Sequence, residues 1–331
     1  MPKPRPVRLA VFKKLAAKRN IKMNIGSKIN TDNFKSYSGD QHAIAIIQPG
    51  SLGDNFNSTL MLKPIKAKWP NAIIDIYTST KYASAFHENP LINNTIEIQS
   101  YDKNSSLNLV HVIPPLLENR GYTKIYNPHP MINPDKWTSL KHNDIGVNLI
   151  CAWIRTLEHD DIDYNWPLET ILRLNDGETH KVDDFWNVVP KNCRNILIEA
   201  GHESGQSYFT EAWLFKICKY LLDGNTNIYI SRASDENVNT INDFSPGHVY
   251  FVGSLSVREC AHLFNKCDAF FSVSSGLSNA CNTNWCKKDI KWFEAINSEA
   301  VSSAPIRKEG KNFWFKDDLD GYIEFIKSHG L

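Results

Sequence analysis

The stretch Ile44-Ala45-Ile46-Ile47-Gln48-Pro49-Gly50-Ser51-Leu52-Gly53-Asp54-Asn55 decides the fold. An apolar run ends in a tight turn of small residues, and a helix follows with Asp54 at its mouth. The run from Phe56 to Trp69 holds few turn residues and stops at Trp69-Pro70-Asn71. A second apolar strand comes at once in Ala72-Ile73-Ile74-Asp75-Ile76-Tyr77. Strand, helix and strand in this order open a doubly wound α/β sheet, which places ligands at the carboxyl ends of its strands. Asp54 lies at such an end. Two readings compete for it: Asp caps helices well, and a lone carboxylate on a ligand-facing turn can move a proton.

The alternation continues along the chain. The pattern predicts a strand near 43–48, a helix near 55–68 and a strand near 73–78. A short helix from Lys81 to Asn89, a strand at 95–98, a helix from Asn108 to Asn119 around Pro114-Pro115 and a strand at 124–126 follow. From Asp144 to Leu157, Ile145, Leu149, Ala152 and Trp153 recur at helical spacing. The stretch Asn175–Asn192 is polar, carries Gly177 and Pro190, lacks clear periodicity and reads as a linker. A second alternation then runs through strands at 195–198, 227–230, 249–252 and 269–273, with helices at Thr210–Leu222 and Ser256–Asn265. Ile290–Phe293 closes that sheet, and Lys316–His329 is a terminal helix packing back on the body. The chain thus divides into a basic N-terminal extension (1–40), one α/β domain (41–180), a second (190–310) and the final helical segment (311–331). Two α/β halves facing across a cleft make the simplest architecture.

Composition sets the class. A chain of 331 residues with 42% hydrophobic and 22% charged residues is ordinary for a globular protein of two domains. No window approaches the run of about 20 apolar residues that spans a bilayer, and the N-terminal apolar patches are broken by Lys and Arg, unlike a signal peptide. Seven scattered Cys fit a reduced, cytoplasmic setting. Cys281 and Cys286 have no second pair to complete a zinc spacing. The net charge of +1 hides an asymmetry: residues 1–40 hold ten Lys and Arg against Asp32 and Asp40, a balance of +8. That leaves 27 basic against 34 acidic residues, or −7, in the remainder. Such a leader, with Val7, Leu9, Val11, Phe12 and Leu15, can lie on an anionic membrane face; it can equally be a solvated tail or dock on its own acidic body. No basic run with interleaved aromatics points to nucleic acid.

Several motifs in sequence order resemble the bacterial heptosyltransferases of glycosyltransferase family 9, which have the GT-B fold. They are the Gly53-Asp54 turn with its interval to Trp69-Pro70, the Ile73–Ile76 strand, Phe86-His87-Glu88-Asn89-Pro90-Leu91-Ile92, and Gly253-Ser254-Leu255-Ser256-Val257-Arg258-Glu259-Cys260-Ala261. Ser275-Gly276-Leu277-Ser278 and Trp292-Phe293 with Pro305 complete the set. The resemblance spans about residues 43–305. It implies an inverting, metal-independent transferase with no cofactor, moving a sugar from a nucleotide-sugar donor to a lipopolysaccharide-core, lipooligosaccharide or capsule-type acceptor at the inner face of the cytoplasmic membrane. It further implies that Asp54 is the general base, that Ser51, Gly53 and Asn55 meet the acceptor, and that the donor lies against Gly201, Ser204, Gln206, Ser274, Ser275, Gly276, Leu277 and Ser278. From their places in this chain, His129 could touch the acceptor and His202 a phosphate, or each could be an exposed loop His, while Arg232 and Asp235 could stand in on the donor side. The last helix would cross back toward the first domain, as in GT-B enzymes generally.

The sequence also departs from that family. Ser274 and Asn279 stand where the family's Asp and His would be, Gln206 falls where a Lys would face the diphosphate, and Asp235 or Glu236 must replace a Glu for the ribose. Arg232 reads either as a replacement cation for phosphate or as a solvent-facing loop charge. These changes mean either a different donor or loss of transfer to leave a nucleotide-sugar or glycan binder. Survival of both small-residue turns, 200–207 and 274–278, favours a changed donor. A sugar-nucleotide epimerase of the same layout is a third reading. Glu199 and Glu203 are unusual neighbours for a diphosphate, suited to sugar or ribose hydroxyls or to a second acid–base role. Asp161 and Asp163 form a D-x-D in a loop that reads as solvated rather than metal-binding, and among nine Trp only Trp285 falls near the donor turn.

Overall fold

A computed structural model describes residues 29–39, 41–99, 103–127, 149–165, 168–199, 209–231, 241, 243, 247–287, 289–296, 311–314 and 316–331. The chain divides into two compact units, Met1–Phe34 and Lys35–Leu331. In the first, the described residues form a turn closed by the Phe34 N–H on the Thr31 carbonyl (3.0 Å). The second contains two parallel sheets and everything that follows.

The first sheet has strand order β3-β2-β1-β4, built from β1 (Ala43–Ile47), β2 (Ile73–Ser79), β3 (Asn94–Ile98) and β4 (Lys124–Tyr126), all parallel. β1 is buried at all five positions, as a central parallel strand covered on both faces must be. Helix α1 (Leu52–Ser58) leaves the β1 turn, and after a 3-10 turn (Thr59–Met61) the chain resumes as α2 (Leu62–Lys68). The sequence predicts one helix over 55–68, and the break has a local cause. The Ser58 and Thr59 hydroxyls donate back to the Asn55 (2.8 Å) and Phe56 (2.7 Å) carbonyls, and Pro64 has no N–H to give the ladder. A 3-10 stretch (Thr80–Phe86), α3 (Lys103–Leu117) and α4 (Leu149–His159) complete this half; residues 144–148 of the expected helix lie outside the described residues.

The segment expected to be a linker is largely helix: α5 spans Asp176–Asn187. Its signal is a capping box, with the Glu178 N–H on Asn175 Oδ1 and the Asn175 N–H on Glu178 Oε2, both 2.9 Å. Its polar composition hides a single apolar face, on which Val182 is buried and Phe185 and Trp186 pack against the second half's core.

The second sheet has order β10-β9-β8-β5-β6-β7, from β5 (Arg194–Ile198), β6 (Thr226–Ile230), β7 (Val249–Phe251), β8 (Ala269–Ser272), β9 (Lys291–Ala295) and β10 (Lys311–Trp314), again all parallel. Helices α6 (Glu211–Leu221), α7 (Val257–Phe264), α8 (Gly276–Cys281) and α9 (Leu319–Ser328) accompany it. β9 does not close the sheet as expected; the short strand β10 does. Nor does α9 cross to the first half: Tyr322 and Ile326 are buried in the second half's core, with the Tyr322 ring 5.4 Å from Trp213. In each half the strand order reverses once, between β1 and β4 and between β5 and β8, and ligand crevices open at such reversals.

Candidate functional site

The turn after β1 is held by its own side chains. The Gly50 N–H donates to Gln48 Oε1 (3.1 Å), and Asn55 Nδ2 donates to the Gly50 carbonyl (3.3 Å). Asp54, third residue of α1, turns back on Ser51: its Oδ2 accepts from the Ser51 N–H (3.0 Å) and the Ser51 hydroxyl (2.8 Å). The cap reading of Asp54 is therefore realised, and the cap fixes a half-buried carboxylate at the carboxyl end of the central strand. A Cβ on Gly50 would lie 2.9 Å from both Asp54 Oδ2 and Gln48 Oε1, so any larger residue would push these side chains from their places. Asn55 is fully buried and also accepts from Thr78 Oγ1 (3.4 Å); it braces the turn from below.

The turn after β8 repeats this plan with other residues. Ser275 caps α8, accepting from the Ser278 N–H (3.0 Å), while the Ser275 N–H donates to Ser278 Oγ (3.1 Å). The Ser275 hydroxyl in turn donates to the carboxylate of Glu199, the residue after β5, which is 4% exposed. Ser274 and Ser278 are buried, and the Leu277 side chain belongs to the apolar core. The carboxylate at this mouth thus arrives from the neighbouring strand across the sheet's reversal point.

The two turns touch. A Cβ added to Gly53 would lie 2.5 Å from Asn279 Nδ2 and 3.4 Å from the Ser275 carbonyl, and one on Gly276 would lie 3.2 Å from Leu52 Cδ2. Asn279, which stands where the resemblance expects His, donates through Nδ2 to the Ser275 carbonyl (2.7 Å). The chain joining the halves runs along this seam. The Ile171 N–H donates to Thr59 Oγ1 (2.7 Å), Thr170 Oγ1 to the Asn282 carbonyl (3.2 Å) and the Leu172 N–H to Asn284 Oδ1 (2.9 Å). Phe56 of α1 and Ala85 of the 3-10 stretch enter the second half's core. Asp54 and Ser275, predicted for opposite halves, are therefore held by helices in direct contact.

Other expected residues fall elsewhere. His129, Gly201, His202, Ser204, Gln206, Arg232 and Asp235 lie outside the described residues. The D-x-D stretch is exposed at both aspartates, as a solvated loop would be, and it also ends α4. Asp161 takes a left-handed φ of 50°, and the Asp161 and Ile162 N–H groups return to the Glu158 (3.1 Å) and Leu157 (2.9 Å) carbonyls. Asp160 accepts from Lys124 Nζ (2.7 Å) and the Tyr126 hydroxyl. Burial raises its carboxyl, and those two donors overcome the effect and leave it below its ordinary value. Trp285 packs beside His262, with rings 5.9 Å apart, and its carbonyl takes Asn265 Nδ2 (3.1 Å). The sequence reading missed Gln48, fully buried with its Nε2 unpartnered among the described residues, and the structural use of Asn279. Gln48 acts locally, on Gly50 two residues on, in a pattern no motif flags, and the approach of Asn279 to Gly53 joins residues distant in sequence.

No protein-family model matches the chain, and no curated protein does. Solved structures do. The glycosyl transferase family 9 protein from Veillonella parvula DSM 2008 superposes with a TM-score of 0.65 at 14% identity, over 89% of this chain and 90% of that one. E. coli ADP-heptose lps heptosyltransferase II gives 0.60 at 15%, over 86% and 98%. The UDP-GlcNAc 2-epimerase from Neisseria meningitidis bound to UDP-GlcNAc gives 0.52 at 10%, over 87% and 91%. The class is the GT-B architecture of two parallel α/β halves. Within it, the fold is the one seen in family 9 heptosyltransferases.

Proposed function

We propose that the protein is an inverting, metal-independent glycosyltransferase with Asp54 as its general base. The observation that carries this is the meeting of the Asp54 and Ser275 turns at the carboxyl ends of two parallel sheets. A sugar hydroxyl is a poor nucleophile until a placed carboxylate takes its proton as the new bond forms. Asp54 would accept that proton, the acceptor oxygen would attack the anomeric carbon, and the bond to the nucleoside diphosphate would break. Backbone N–H groups at the Ser274–Ser278 turn would face the charge left on the departing phosphate. The acceptor would be a bacterial cell-surface glycan bound by the first half through Ser51, Gly53 and His129. The donor, a nucleotide sugar, would lie on the second half. The basic leader would hold the enzyme to the anionic inner face of the cytoplasmic membrane.

A second reading, a nucleotide-sugar or glycan binder without turnover, is favoured by one observation: Asp54 Oδ2 and the Ser275 hydroxyl are both engaged in local caps. One experiment separates the two. Thermal shift and donor hydrolysis are followed over a panel of nucleotide sugars, with and without glycan acceptors, for wild type and Asp54→Asn. Ligand that binds the folded state raises its unfolding temperature by mass action. The transferase reading expects one donor to stabilise both proteins and only wild type to turn it over. A donor that binds both and is turned over by neither establishes the binder. For the leader, deletion of residues 1–38 is expected to weaken binding to anionic vesicles while turnover on a soluble acceptor persists; unchanged vesicle binding rejects the membrane role.

A further inference from the structure

We propose that Arg258 is a positioning residue that fixes the Asp54 turn and the Ser275 turn relative to one another. Arg258 sits in the first turn of α7 and is 2% exposed, and every described bond of its guanidinium goes to a segment other than α7 and the second sheet. Its guanidinium reaches three other segments. Nη1 donates to the carbonyls of Ser84 (2.9 Å) and His87 (3.1 Å), at the end of the first half's 3-10 stretch. Nη2 donates to the Arg173 carbonyl in the connecting chain. Nε and Nη2 grip both oxygens of Glu178 on α5, at 2.6 and 2.8 Å. A rigid planar fork with five N–H groups is the one side chain able to satisfy this set at once.

What hangs on these anchors makes the knot functional. The 3-10 stretch packs on α1, the helix that carries Asp54, and α7 packs on α8, whose cap is Ser275. Arg258 therefore links the two supports across the interface, away from the turns themselves. Glu178 stays available as its partner: burial raises that carboxyl, but Arg258 and the Asn175 N–H overcome the effect and hold it below its ordinary value. A one-charge ammonium on a flexible stem could reach one or two of these acceptors and would leave the others buried and unpaired. The catalytic importance of the placement rests on the glycosyl-transfer reading; the placement itself does not.

Amide hydrogen exchange on the full-length protein tests the placement without any substrate. Arg258→Met and Glu178→Gln are each expected to speed exchange at least tenfold in both Leu52–Ser58 and Gly276–Cys281, while the strands Ala43–Ile47 and Arg194–Ile198 keep wild-type protection. Arg258→Lys is expected to fall between. Unchanged exchange in the two helices overturns the proposal, as does a change confined to one of them, since Arg258 would then serve a single half. Loss of protection in helices and strands alike also overturns it, by making the residue a general support of the fold. If Arg258→Met does not fold, Glu178→Gln retains the guanidinium and decides the matter. Failure to find any donor would count against the transferase and leave this measurement intact.

Discussion

The turn at Ser51–Asp54 and the turn at Ser275–Ser278 are two versions of one device. Each follows a buried parallel strand, each starts a short helix with a serine cap, and each uses its third helical residue to close the cap. They differ in where the carboxylate comes from. In the first turn it is the third residue itself, Asp54, so the cap and the proposed base are one side chain. In the second the third residue is Ser278, and the carboxylate is Glu199, delivered from β5 onto the cap hydroxyl. The first turn can thus change its charge only at a residue of its own helix, whereas the second can alter the charge at its mouth by substituting a residue outside the helix. That division is what the proposed transfer would need: a base kept in place and a donor mouth free to change.

The largest expected effect breaks the comparison at its first member. Asp54→Asn keeps an oxygen to accept from Ser51 but removes the proton acceptor. Turnover is expected to fall about 10²–10⁴-fold, the usual contribution of a general base, with little change in the unfolding temperature. A variant that keeps wild-type turnover would show Asp54 to be a cap and nothing more. Next come the two cap serines. Ser51→Ala still leaves Asp54 the Ser51 N–H, so a loss of roughly 0.5–1 kcal/mol is expected, at the low end for caps. Ser275→Ala removes both a cap and a donor to a buried carboxylate, for roughly 2–3 kcal/mol. Denaturant melts that rank the pair the other way would mean that Glu199 does not depend on Ser275. Gly53→Val drives a side chain into Asn279 and is expected to cost about 1–3 kcal/mol as overpacking. Adding Asn279→Ala should recover part of that, a non-additivity that independent sites would not show.

Much of this was legible in the sequence, and the part that was not has a common cause. β1, β5 and β8 announce themselves through unbroken apolar runs (Ala43–Ile47, Ile196–Ile198, Ala269–Phe271), as strands buried on both faces do, and small residues flag the turns that follow β1 and β8. The resemblance placed Asp54 and Ser275 at strand ends, where the structure has them. The helix α5 was hidden because its polar face outnumbers its apolar one, although Asn175 and Glu178 stood at capping-box spacing. The seam was illegible for a different reason. Nothing near Gly53 says that Asn279 will press on it, and nothing near Arg258 says that Ser84, His87, Arg173 and Glu178 will converge there. Local propensity encodes elements, and contacts between elements carry the placement on which chemistry depends.

A change that should leave the fold untouched sharpens the comparison at its second member. Glu199→Gln still offers an oxygen to the Ser275 hydroxyl, so the cap should stand and the unfolding temperature should stay close to wild type. What goes is a negative charge buried at the mouth where a departing diphosphate would lie. Two like charges at such a site oppose each other even when neutral donors screen them in part. Removing one is expected to tighten binding of ADP or UDP on the order of tenfold, about 1.4 kcal/mol, measured by calorimetry at fixed salt. Equal affinity in the two proteins would place the phosphates away from the α8 mouth, and the likeness of the two turns would then be one of architecture alone. Weaker binding in the variant would carry the opposite lesson: Glu199 would be accepting a hydroxyl from the ribose or the sugar, and the charge brought in from β5 would be the donor site's own recognition group.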